Sequence, residues 1–271
     1  MKNPDMVMKL RHKPKAISAL IVACSLFTAS PSRACCNSDD DKMIGGYGFG
    51  LGVGQSQTTG DFIQGRRTSV FSMGFDAEKN GVLFMFTGLA DTNSNSEMSS
   101  YSLILGGGWS YFKIGTGLIN QKSSAPTTNM VEFPLIITDS SRLTTISVTT
   151  IPVFLRLHPL ITDRLVLTVD GYYGLRTRGS TSIPVDALGM QATMDTDTKH
   201  AGGARGIGSS AAWRLGSSRF GLKFEYRVSE QHMDRNTTGF QGDVLGAFST
   251  VKVPDITYRN RTMMLSIVGS F

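Results

Sequence analysis

Few residues of this 271-residue chain have the type and spacing that do chemistry. His232 and Asp234 stand two apart, on one face of a strand if the strand persists, and such a couple could pass a proton. No matching acid pair stands on an opposing segment to complete it. Asp195, Asp197 and His200 fall close together, and the two aspartates could approach a hard cation. An EF-hand-like loop would need more acids and a glycine at its turn, so this run reads as a solvated loop. A Ser-His-acid centre has no His-x-Ser pair to build on. His158 and His200 read as solvated or locally bonded side chains. All three cysteines, Cys24, Cys35 and Cys36, lie in or beside the N-terminal leader, which removes disulfides and Cys-ligated zinc from the body of the chain. No cofactor or metal is expected.

Charged residues at alternate positions are better candidates. Asp76, Lys113, Arg156, Asp170, Lys223, Glu225 and Arg227 each fall on the polar side of an alternating segment, and Glu225 sits between two cations two residues away. Around a narrow interior they would form a compensated charge network. Around a wider one they would line a charged constriction. A second set, Arg66, Arg67, Arg205, Arg259 and Arg261, with Arg176, Arg178 and Arg235, falls near segment ends, where guanidinium forks suit phosphate.

The elements that must position these residues begin after an export signal. Basic residues through Lys15 precede the apolar run Ala16 to Ala29 and the small-x-small site Ser32-Arg33-Ala34, which assigns residues 1–34 to a signal peptide. Ile21-Val22-Ala23-Cys24 also resembles a lipoprotein box, with Cys24 as the lipidated alternative. Residues 35–42 form a polar linker. Six bases and one acid precede Cys35, so the formal charge of +6 shrinks to near balance in the remainder. With no basic stripe interleaved with aromatics, nucleic acid is not an expected partner.

From Met43 apolar residues recur at every second position, the period of a strand. Tyr47 to Gly54 alternates with glycine, and Phe220 to Ser229 alternates with Gly221, Lys223, Glu225 and Arg227. The other alternating segments are 68–77, 82–89, 101–109, 112–118, 145–158, 165–175, 203–215 and 261–271, ten in all. A bulge is expected at Pro152, since proline cannot donate to a ladder. Connections near Asn80, Ser110, Thr162 and Ser217 are short. Those on the other side are long, including Asn120–Leu143, Arg176–Gly202 and Glu230–Asp255.

The last strand places Met263, Leu265, Ile267, Gly269 and Phe271 on one side and ends on the aromatic residue. It resembles the C-terminal strand of bacterial outer-membrane β-barrels, with Gly269 departing from the bulkier residue usual there. Together with the alternating short and long connections, residues 43–271 resemble the small OmpA/OmpX-type barrels. The resemblance implies an all-β, antiparallel up-and-down transmembrane barrel of about ten strands, with eight as the alternative, in the cell outer membrane. It implies lipid and lipopolysaccharide contacts for the rim arginines, and handling by the barrel assembly machinery through Phe271, Ile267, Leu265 and Met263. A structural or surface-interaction role follows, with the long loops meeting a host or surface ligand. A narrow porin or channel is the alternative. Omptin-type outer-membrane proteases are similar in strand number, which leaves His232 and Asp234 as a rim-hydrolase alternative, while the chain is otherwise read as having no catalytic residues.

Overall fold

The computed structural model describes residues 47–61, 63–79, 81–91, 98–126, 137–138, 143–187, 190–195, 203–233, 236–240, 249–253 and 256–270. The leader, Cys24, the linker, Asp197, His200, Asp234, Arg235 and Phe271 lie outside them. The strands are β1 (Tyr47–Gly60), β2 (Ile63–Lys79), β3 (Val82–Asp91), β4 (Met98–Trp109), β5 (Phe112–Pro126), β6 (Ile137–Thr138) and β7 (Leu143–Ile161). They continue with β8 (Leu165–Ala187), β9 (Met190–Asp195), β10 (Ala204–Arg214), β11 (Phe220–Met233), β12 (Asn236–Phe240), β13 (Ser249–Val253) and β14 (Ile256–Ser270).

Ten of these form a closed antiparallel barrel. Sequential neighbours pair from β1 round to β8, with β5 meeting β7 directly; β8 then pairs with β10, β10 with β11, β11 with β14, and β14 with β1. The seam runs from Gly48 opposite Ser270 to Gly60 opposite Tyr258. Closure leaves no free edge, so every ladder group can be paired inside hydrocarbon. The short β6 and β9 add to the outer end of β8, and β12 pairs with β13.

The period of two separates the faces. Phe49, Leu51 and Val53 on β1, Leu222 and Phe224 on β11, and Met263, Leu265 and Ile267 on β14 are exposed on the outside. A girdle of large exposed apolar side chains is stable only against lipid. Small and polar residues fill the inside. At Gly54 an added Cβ would strike the backbone carbonyl of Met263 across the seam, so the two strands approach as closely as they do only without a side chain there. Inside, Leu83, Met85, Ile104, Ile119 and Phe154 form one buried cluster with Tyr172 against it, and Val70, Met98 and Met264 form another with Leu89.

Several strands run further than hydrophobic periodicity alone reaches. β1 and β2 are joined by a tight hairpin between Gly60 and Ile63, so the long first loop expected between 54 and 68 is strand instead. The expected loop Asn120–Leu143 begins as β5, which continues to Pro126. The expected loop Arg176–Gly202 contains twelve-odd further residues of β8, through Ala187, and then β9. Within Glu230–Asp255, β11 persists to Met233 and β12 and β13 follow. These extensions pair backbone to backbone above the apolar girdle, where no lipid-facing alternation is needed. The bulge expected at Pro152 is present: the register shifts between Ile151, opposite Arg176, and Pro152, opposite Gly174.

Candidate functional site

The lumen holds a buried charge network at the end of the barrel that carries the short turns. Alternation turns Asp76 and Glu78 of β2, Arg156 and His158 of β7, and Thr168 and Asp170 of β8 inward. Arg156 is 3% exposed and gathers three carboxylates. Its Nη1 donates to Asp76 Oδ2 at 2.5 Å and to Glu78 Oε1 at 2.7 Å. Its Nε and Nη2 donate to the two oxygens of Asp170 at 2.8 and 3.1 Å, a bidentate fork between neighbouring strands. The guanidinium also lies 5.8 Å from the centre of the Phe154 ring. His158 Nε2 stands 3.3 Å from Glu78 Oε2, and Nδ1 stands 3.1 Å from Thr168 Oγ1.

A second group sits on β11. Glu225 is flanked by Lys223 Nζ at 2.9 Å and Arg227 Nη2 at 2.7 Å, the ladder that the i±2 spacing foretells. Both groups line one cavity of about 190 Å³. A smaller one of about 60 Å³ shares Glu225 and Arg227 as walls and continues toward the outer end. At its outer end hydroxyls and amides bridge the interior, Gln121, Ser229 and Asn260 among its walls. Gln231 donates to Gln121 Oε1, and Gln121 Nε2 reaches Ser229 Oγ at 3.4 Å. Thr58 Oγ1 meets Ser123 Oγ at 2.9 Å and donates to Asn260 Oδ1 at 2.7 Å.

The network expected from sequence is thus assembled in two parts, Asp76, Arg156 and Asp170 in one and Lys223, Glu225 and Arg227 in the other. Lys113 is also buried and stands opposite Arg156 in register, but among the described residues it makes no ion pair. One member escaped the sequence reading: Glu78 belongs to the network through Arg156 and His158. It lies two residues beyond Asp76, already placed on the inner face, and that parity is the signal that could have found it. His158, read as solvated or locally bonded, is 3% exposed and bonded to Glu78 and Thr168.

Outside the barrel the rim arginines divide by position. On the outward face Arg205, Glu230 and Arg259 stand side by side on β10, β11 and β14. Arg205 donates to Glu230 Oε1, and Arg259 Nη2 donates to Glu230 Oε2 at 2.7 Å. Val228 is the last apolar outward residue of β11, so Glu230 lies above the membrane-spanning part. Burial opposes its charge, but hydrogen bonds from Arg259 and Arg205 outweigh that and hold its carboxyl below the usual range. Arg261 and Arg67 both stand opposite Gln57, one on each side of β1. Arg66 stands opposite Thr58 in β2.

His232 is exposed on the outer surface, with Nδ1 3.1 Å from Thr257 Oγ1. No group of three or more His, Cys, Asp or Glu side chains suited to a metal occurs among the described residues.

No family model matches the chain, and no curated protein matches it. Solved structures do. The outer membrane protease OmpT of Escherichia coli aligns with a TM-score of 0.54 at 11% identity, over 88% of this chain and 99% of that one. Neisserial surface protein A aligns with a TM-score of 0.34 at 8% identity, over 83% and 97%. The attachment invasion locus protein Ail of Yersinia pestis aligns with a TM-score of 0.34 at 11% identity, over 83% and 99%. At these identities the likeness is one of fold.

Proposed function

We propose that this outer-membrane β-barrel is a non-conducting scaffold, whose role is structural or surface interaction at the outer end. The observation that carries the reading is a lumen crossed by bonded side chains. Arg156 ties β7 to β2, Gln121 ties β5 to β11, and Thr58 ties β1 to β5, at successive heights. A barrel of ten strands leaves little space beyond its own side chains, and these side chains are bonded to one another across it.

The outer end supports the second half of the proposal. β7 has 19 residues and β8 has 23, whereas about 9–11 tilted residues suffice to cross a membrane. The surplus forms a raised wall beneath the connections that follow β5, β8 and β11. Binding function is commonly carried by such connections on a rigid frame.

Planar-bilayer recording of the full chain tests the closed lumen. Electrical silence is expected, in the native protein and in Arg227→Ser. A narrow channel is the second reading, favoured by the two cavities that meet at Glu225 and Arg227. Discrete conductance steps altered by Arg227→Ser would establish it and overturn the scaffold.

A further inference from the structure

We infer that the larger cavity binds a small zwitterion, an amine and a carboxylate on one short molecule, which enters from the end of the barrel that carries the short turns. This goes beyond the scaffold reading, which speaks only of the outer end.

The space itself is the first observation. Gly48 and Gly50 of β1 and Gly74 of β2 form part of its wall. None of the three has a positive φ, which among the described residues only Gly81, Gly108 and Gly216 adopt. Backbone does not crowd them either: a Cβ at Gly48 or Gly74 would meet nothing closer than a carbonyl at 3.5 Å, and at Gly50 the nearest atom is a Val268 methyl at 3.3 Å. Glycine inside a strand weakens it, so three glycines that neither conformation nor backbone packing demands keep volume free. At about 190 Å³ that volume is below the roughly 300–1,000 Å³ of pockets for drug-sized ligands, and it suits a molecule of amino-acid size. Ser218 and Arg219, in the turn between β10 and β11, also line it, so the cavity reaches the short-turn end.

The charges that line this space select the ligand. On β11, Lys223 Nζ and Arg227 Nη2 each meet one oxygen of Glu225, which occupies both oxygens of that carboxylate. An ammonium has three hydrogens and a guanidinium five, so both cations keep donors to give. On β2, Asp76 accepts from Arg156 through Oδ2, while its Oδ1 is buried without a hydrogen-bond partner. A carboxylate oxygen held away from water without a donor is costly, and an ammonium would satisfy it. Spare donors on one strand and a spare anionic acceptor on another suit a molecule that carries both signs. Met85, Val166, Ala212 and Val268 add apolar contact for a short hydrocarbon portion. A simple anion would answer only Lys223 and Arg227, and a simple amine only Asp76.

The test uses the full chain refolded in detergent, with folding scored by its heat-modifiable migration in gels. Binding is measured by calorimetry for leucine and 6-aminohexanoate, which hold the two charges at different separations, and for isopentylamine and isovalerate, which carry one charge each. At least one zwitterion should bind saturably and about tenfold or more tighter than either single-charge molecule, the factor expected for one charge-assisted hydrogen bond. Asp76→Asn and Lys223→Met should each weaken that binding by a similar factor. Gly74→Leu, whose side chain would occupy the cavity, should abolish it in a barrel that still folds. Arg205→Ser, at the outer rim, should bind as the native protein does. Folded native protein that binds neither zwitterion would overturn the site, and so would equal affinity for the single-charge molecules or unchanged binding by folded Gly74→Leu. A native chain that never reaches the heat-modifiable form would instead count against the barrel reading, and the site would fall with it.

Discussion

Arg156 and Glu78 lie 78 positions apart in the chain and meet at 2.7 Å inside the barrel, with β3, β4 and β5 between their strands. Removing the cation would strip Asp76 and Asp170 of their ion pair and leave Glu78 with His158 alone. Arg156→Met should therefore cost roughly 3–5 kcal/mol, the usual result of breaking a buried ion pair from one side. Urea unfolding in lipid vesicles measures it, and a loss below about 1 kcal/mol would show that the carboxylates are solvated.

The seam between β1 and β14 has no room at Gly54, where a Cβ would meet the Met263 carbonyl, whereas at Gly50 the nearest atom is a movable Val268 methyl at 3.3 Å. Gly54→Ala should lower the yield of folded barrel, and Gly50→Ala should not. The folded fraction in a refolding gel reads this directly; identical yields for the two variants would mean that the seam relaxes.

Ser180 lies on the outward face of the long upper part of β8, and Ser217 lies in the tight turn between β10 and β11. With cysteine at position 180, intact cells should react with a membrane-impermeant maleimide. With cysteine at position 217 they should react only after the outer membrane is permeabilised. Labelling of both, or the reverse order, would invert or refute the orientation.

Glu230 gives the rim a pH signature. Its carboxyl titrates below the usual range, so the stabilisation is complete above the ordinary value of about 4.3 and is lost as pH falls through the lower folded value. Native protein should exceed Glu230→Gln in thermal midpoint at neutral pH, with the gap closing under acid conditions. A gap that stays constant to about pH 2 would remove the ionised carboxylate from the account.

The girdle was legible in the sequence because lipid on one side and a packed lumen on the other force strict alternation, as in Phe220 to Ser229. Gln55 to Arg67 concealed its hairpin because strands that rise above the membrane have polar residues on both faces. The same holds for the Ser- and Thr-rich ends of β7 and β8. Of the interior network, Glu225 with Lys223 and Arg227 was legible because one strand carries all three. The pairing of Arg156 with Glu78 was not, because it depends on which strands face each other across the lumen, and that follows from closure.

The three internal ties have a mechanical consequence. A hollow tube in a crowded bilayer can be squeezed into an ellipse by lateral pressure, since its wall bends at little cost. Here each tie spans the interior between strands that are not neighbours: β2 to β7, β5 to β11, and β1 to β5. Flattening along any of those directions would stretch or crush bonded side chains. The barrel should thus keep a round outline under load and present surrounding molecules with a perimeter of fixed shape.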